Sequence, residues 1–157
     1  MSIATTLREY LENEGIEYDV LAHPLTQTAS ETAHAAHIPG DLLVKSVVLE
    51  DERGYVMAVI PSTRRVEIGK LSKHLNRKLG LATENELSRL FDDCETGAIP
   101  PIGQAYGMDV VIDNDCISDR SDVYFEGGDH TELIHVSGRD FETLMSAVKH
   151  CRFTRHV

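Results

Sequence analysis

Cysteine is scarce in this chain of 157 residues. The three present, Cys94, Cys116 and Cys151, are odd in number and widely spaced, which argues against a disulfide framework and against the paired spacing of a zinc ribbon. Long apolar runs are missing too: none approaches the roughly 20 residues that a membrane helix needs, so no membrane contact is expected. The start, Met1-Ser2-Ile3-Ala4, lacks the basic and apolar regions of a signal peptide, and a reducing cytoplasm is the expected compartment. There is no repeat, low-complexity tract or Gly/Ser linker, and one domain over residues 1–157 is expected at this length. Positive charge is in deficit, with 15 Lys and Arg against 26 Asp and Glu and a formal net charge of −11. Phosphate repulsion across most of the surface argues against broad attachment to nucleic acid, DNA included, but not against local contact with one end of an RNA. What remains, 41% hydrophobic and 26% charged, is an ordinary globular composition.

The order of elements points to fold class. Ile3, Leu7, Tyr10 and Leu11 share one helical face, and Gly15 ends that helix. Residues 16–22 read as a strand, broken by His23-Pro24, and Ser30 is placed to cap a short helix that stops by Pro39-Gly40. Residues 42–50 and 55–60 form the strongest strand pair, joined by the turn-like Asp51-Glu52-Arg53-Gly54. Helices are predicted at 66–79, with Leu71, Leu75 and Leu79 inward, and at 84–91, with Leu87, Leu90 and Phe91 inward. Strands follow at 108–112, 123–126 and 131–136, and a last helix at 140–150. Helices scattered among hairpin-like strands argue for an α+β domain with a mixed, curved sheet flanked by helices.

Two stretches carry chemistry. In Leu42-Leu43-Val44-Lys45-Ser46-Val47-Val48-Leu49, strand alternation puts Lys45 on a face with Leu43, Val47 and Leu49, and Ser46 on the other with Leu42, Val44 and Val48. A cation on an apolar face is costly unless it snorkels to water or meets an anion, so Lys45 is either an edge lysine or a pocket lysine that holds a phosphate or carbonyl oxygen. In Gly97-Ala98-Ile99-Pro100-Pro101-Ile102-Gly103, Gly97 permits unusual backbone angles while the prolines fix φ and remove two donors. Such a loop is either a rigid connector or a device that aims its remaining N–H groups at a developing oxyanion. His130, in the turn after Gly127-Gly128-Asp129, is either a solvated turn residue or a pocket residue. Glu31, His34 and His37 lack further ligands at metal spacing. Asp113-Asn114-Asp115 fails as a calcium loop, because Ile117 falls between ligand positions, Ser118 replaces the required Gly and Tyr124 the closing Glu. No metal or other cofactor is expected.

Four motifs in order carry a resemblance over nearly the whole chain. They are Tyr18-Asp19-Val20-Leu21-Ala22-His23-Pro24, Leu43-Val44-Lys45-Ser46-Val47-Val48-Leu49, Gly97-Ala98-Ile99-Pro100-Pro101, and Phe125-Glu126-Gly127-Gly128-Asp129-His130. The chain resembles the YbaK/prolyl-tRNA synthetase-associated domain family, the free-standing relatives of a synthetase editing insertion. The resemblance implies a barrel-like mixed sheet and hydrolysis of the ester between a wrong amino acid and the 3′ end of a tRNA, typically proline tRNA. It implies that Lys45 anchors the terminal adenosine or its phosphate, and that Gly97 and Ala98 offer N–H groups to the aminoacyl carbonyl. His23, Ser46, Ile99, Pro100, Pro101, Gly128 and His130 would surround the bound amino acid. Ser46 stands where some relatives carry Asn. With no strong general base evident, the water would be activated by the substrate's own ribose hydroxyl.

Residues 64–78 hold six Arg and Lys against one acid, counter to the whole-chain trend. Arg64, Arg65 and a stripe of Lys70, Lys73 and Arg77 are either a solvated face or a contact for the acceptor stem. The expected partner is the acceptor end of aminoacyl-tRNA, with prolyl-tRNA synthetase as a second. The alternatives are a non-catalytic module of the same fold that binds charged tRNA or a synthetase, and a hydrolase of another small ester or amide.

Overall fold

The run Val56-Met57-Ala58-Val59-Ile60 offers no polar face to water, the pattern of a strand buried on both sides, and it forms the centre of the sheet. The computed structural model describes residues 3–26, 28–116 and 121–156; Ile117 and Ser118, weighed above as loop positions, lie outside them. The first half of the chain runs α1 (Thr5–Asn13), β1 (Asp19–Ala22), α2 (Ala29–Ala35), β2 (Leu43–Asp51), β3 (Gly54–Pro61), β4 (Arg64–Val66) and α3 (Ile68–Leu75). The second half runs β5 (Gly80–Leu81), α4 (Glu84–Leu90), β6 (Asp109–Asp113), β7 (Asp122–Glu126), β8 (Glu132–Ser137), α5 (Gly138–Leu144), β9 (Lys149–Cys151) and β10 (Thr154–His156).

Seven strands lie in the order β1-β8-β7-β2-β3-β6-β9, with β5 added beside β2 to make an eight-stranded sheet. Pairing is mixed: β2 with β3 is antiparallel, whereas β2 with β7, β3 with β6 and β6 with β9 are parallel. A separate two-stranded ribbon joins β4 to β10. The domain is therefore α+β, with a curved mixed sheet flanked by helices. On one face Val48, Met57, Val59, Ile112 and Phe125 pack against Leu7 and Leu11 of α1, Phe91 after α4, and Phe141 and Leu144 of α5. On the other, Val56, Ala58 and Ile60 pack against Leu71 of α3 and Phe153, while α2 covers Leu43 and Leu133.

Several boundaries differ from those expected. Thr28, not Ser30, is the N-cap of α2, its hydroxyl accepting the Glu31 N–H at 3.1 Å. The expected 66–79 helix is shorter: Val66 lies on β4 with Arg64 and Arg65, α3 runs only from Ile68 to Leu75, and Asn76 takes a left-handed φ of 53° that stops it. The expected 140–150 helix also ends early, because residues 149–151 pair in parallel with β6 as β9. Strands of two or three residues show no alternation, so β4, β5, β9 and β10 owe their existence to tertiary pairing.

Candidate active site

Incomplete pairing of β2 creates the site. Toward β3 it is paired from Val44 to Asp51. On its other edge β7 takes only Leu43 and Val44, and β5 only Leu49 and Glu50. The Leu43 carbonyl accepts from Ser62 N–H, on the β3 side, and the Val48 carbonyl accepts from Ala82 N–H, on the other. Alternation along the strand therefore aims the main-chain groups of Ser46 into the opening.

A cavity of about 110 Å³ fills this opening. Its walls are Leu43 to Ser46 and Val48 on β2, Thr28, Ala29 and Thr32 around α2, Leu87, Gly97, Ile99, Glu126 and His130. Lys45 and Ser46 both reach it despite their opposite faces, because the cavity wraps around an open strand edge.

Lys45 is half-buried, and desolvation first, then the nearby charge of Arg65, holds its pKa below the ordinary lysine value. Among the described residues no carboxylate pairs with it, so an anionic ligand is the counter-charge it lacks.

Gly97 has φ +89°, a conformation that a side chain would strain. The Ala98 N–H already donates to the Glu95 carbonyl at 3.0 Å and Ala98 is fully buried, so this residue shapes the turn rather than offering a donor. The Gly97 and Ile99 N–H groups have no protein acceptor among the described residues. Ser46 Oγ donates to the Ile99 carbonyl at 3.1 Å, fastening the loop to the strand. Pro100 and Pro101 are buried behind the loop and outside the cavity lining. Gly128 also acts at one remove: its carbonyl accepts the Glu95 N–H at 2.8 Å, and a Cβ there would lie 2.9 Å from that of Ala4. His130 Nε2 donates to the Thr96 carbonyl at 2.7 Å, which orients the ring at the cavity wall and leaves Nδ1 as its second nitrogen.

His23 is buried, with Nδ1 2.8 Å from the Pro24 carbonyl oxygen and Nε2 3.5 Å from Glu126 Oε1. Glu126 lines the cavity directly, and burial first, then the charge of Asp129, pushes its carboxyl up to about 8. Sequence reasoning missed Glu126 as a site residue, since a carboxyl that ends a strand before Gly-Gly reads as solvated. Its signal lay in the fourth motif, where it precedes the glycines.

The basic stretch divides. Arg77 clamps Asp51 through bonds of 2.8 and 2.6 Å and holds that carboxyl well below the usual carboxylate range, so it is a structural residue and not part of an exposed stripe. Arg64 turns inward, its Nε donating to Thr154 Oγ1 at 2.7 Å. Lys70 and Lys73 are exposed on α3. Arg65, close enough to depress Lys45, is exposed and stands directly opposite the exposed Arg155 in the β4–β10 ribbon. Like charges in that register repel each other, and neither has an ion pair among the described residues.

Residues 23–144 match the model of the aminoacyl-tRNA editing domain. The chain belongs to this family. A stretch of 92 residues, 58% of the chain, is 29% identical to a proline–tRNA ligase of Fervidobacterium nodosum and spans only 16% of that ligase. The structure of a candidate trans-editing enzyme for prolyl tRNA synthetase is similar with TM-score 0.83 and 24% identity, over 97% of this chain and 96% of that one. A hypothetical protein is similar to the same degree, TM-score 0.83 and 24% identity, over 96% and 99%. The fold is thus that of the YbaK/prolyl-tRNA synthetase-associated editing domains. The editing-domain match takes in every residue of the cavity wall and the His23–Glu126 pair, but not Arg155.

Proposed function

We propose that this editing domain hydrolyses, in trans, the ester joining a small, wrongly attached amino acid to the 3′ end of a tRNA, with proline tRNA as carrier. The observation that carries the reading is the opening in β2, where a half-buried lysine with no carboxylate partner among the described residues, the Gly97 turn and His130 line one cavity. Its volume, about 110 Å³, suits alanine, serine or threonine better than a large side chain. Lys45 neutralises the phosphate or the ester oxygen of the terminal adenosine. The Gly97 and Ile99 N–H groups face the charge that develops on the carbonyl oxygen. Water adds to the carbonyl carbon, the bond to the ribose oxygen breaks, and that oxygen leaves with a proton. The domain works in the cytoplasm, where prolyl-tRNA synthetase supplies the mischarged substrate.

Release of amino acid from alanyl-, seryl-, threonyl- and cysteinyl-tRNA(Pro) tests this directly. Selective release from one or more of the first three is expected. No release from any member, with tRNA still bound, would overturn the enzyme reading.

The acceptor strand runs over Arg65 and Arg155, whose mutual repulsion a phosphate relieves. Because each phosphate contact to a single strand contributes about −0.7 to the slope of log K against log salt, the Arg65→Ala/Arg155→Ala double variant is expected to flatten that slope by roughly 1.4. Arg77→Ala is expected to leave the slope unchanged. Binding titrations across a salt series check both.

A further inference from the structure

The gap in β2 leaves the main-chain groups of one residue without a use. The Leu43 carbonyl bonds to Ser62 N–H on the β3 side, so alternation turns the main-chain groups of Lys45, Val47 and Leu49 to β3 as well. Those of Val44, Ser46 and Val48 face the opposite edge. There β7 reaches no further than Val44, and from the other end Ala82 N–H takes the Val48 carbonyl at 3.1 Å. Between these two contacts the N–H and C=O of Ser46 have no partner among the described residues. Ser46 lines the cavity, and its hydroxyl holds the Ile99 carbonyl, which brings the Gly97 turn to this same point of the strand. With β7 closing one end and β5 the other, the free edge is a slot one residue long.

We propose that the aminoacyl group of the substrate fills this slot as a one-residue strand. Its α-amino N–H donates to the Ser46 carbonyl, and its ester carbonyl accepts from the Ser46 N–H. The proposal rests on the editing reading above and assigns the part of that site that grips the amino acid. A single residue exchanges both bonds with its partner only in an antiparallel pair, which fixes the direction of the substrate. Its carboxyl end, with the ribose, runs toward Lys45, the side on which an anion is wanted. Its amino end runs toward Ala82, just past β5. Paired residues put their side chains on one face. The side chain of an L-amino acid therefore lies with Ser46, Val44 and Val48, where Leu87 and Ile99 complete the wall. Ser46 N–H uses one lone pair of the ester carbonyl, and the other is left for the Gly97 and Ile99 N–H groups as charge develops. An acyl group on the α-nitrogen would run into β5, so free aminoacyl esters are accepted and N-acylated ones refused.

The probe is tRNA(Pro) ending in 3′-amino-3′-deoxyadenosine and charged with alanine, so that an amide replaces the ester. Amide hydrogen exchange read by NMR is expected to show Ser46 exchanging fast in the free protein, between slow Lys45 and Val47. With the probe bound, Ser46 is expected to slow by roughly 10-fold or more. The same tRNA carrying propionate, which lacks the α-nitrogen, or N-acetylalanine is expected to bind roughly 10-fold or more weakly than the alanyl probe. Replacing Ser46 by its α-hydroxy acid counterpart exchanges the free N–H for oxygen and weakens only the Lys45 carbonyl in the ladder. That chain is expected to release alanine about 10²-fold more slowly with a small loss of Tm. Exchange needs no variant, so it decides the matter if the ester-containing chain does not fold. A Ser46 amide that exchanges equally fast with the probe bound would overturn the pairing and leave editing intact. So would a probe bound no more tightly than uncharged tRNA, or equal release of alanine and N-acetylalanine from their esters. Failure of wild type on the whole tRNA panel would overturn editing itself.

Discussion

Lys45→Ala is expected to slow amino-acid release from the cognate charged tRNA by about 10²–10³-fold, the usual cost of removing one pre-aimed electrostatic group from a water-poor site. Burial and the Arg65 charge both disfavour the free ammonium, so a phosphate or developing oxyanion is what stabilises it. An anion that binds the charged form must also draw the lysine's pKa upward, and affinity must fall once the lysine deprotonates. Because the free group titrates below the ordinary lysine range, the alkaline loss of binding is expected below that range. Lys45→Arg is expected to move this limb to higher pH while recovering only part of the rate, since a planar fork does not reproduce a compact point charge. Single-turnover rates and binding across an alkaline pH series measure each effect. Equal rates for wild type and Lys45→Ala would remove the lysine from the mechanism.

Glu126→Gln is expected to make the protein more stable. The folded-state carboxyl is pushed up to about 8, against about 4.3 in an unfolded chain. The sign follows from the protonated form being favoured in the fold: the penalty is absent below the unfolded value, grows as pH rises and is complete once pH passes the folded value. At neutral pH it amounts to roughly 3 kcal/mol, which corresponds to a rise in Tm of roughly 5–10 °C for a domain of this size. Thermal unfolding near pH 4 and near pH 8 checks it, with wild type and variant expected to coincide at the first and separate at the second. A variant that melts lower at the higher pH would mean that the carboxylate is ionised and satisfied. Stability withheld at a residue that lines the cavity is the common signature of a working group.

Arg77 illustrates where local reading fails. Its spacing placed it on a basic helical stripe with Lys70 and Lys73, but its guanidinium reaches back to Asp51, 26 residues earlier in the chain. A window of helical length cannot contain that partner. Lys45 was legible for the opposite reason: a cation among Leu43, Val47 and Leu49 is anomalous within its own strand, so the anomaly was visible locally, and the structure places it at the cavity wall. The Gly97-Ala98-Ile99-Pro100-Pro101 turn was visible because glycine and proline act on their own backbone. Which of its N–H groups remain unengaged was not, since that depends on Glu95 and on the Gly128 carbonyl that holds it.

The sequence by itself determined the central strands, the helices whose apolar residues keep one face, and the editing family through four short motifs in order, because these depend on neighbours a few positions apart. Only the tertiary structure decided that β2 is left open at Ser46, that Arg65 stands opposite Arg155, and that His23 and Glu126 lie side by side in the interior. Each of these is a meeting of residues far apart in the chain, and what such a meeting does to charge and hydrogen bonding exists only once the chain has folded.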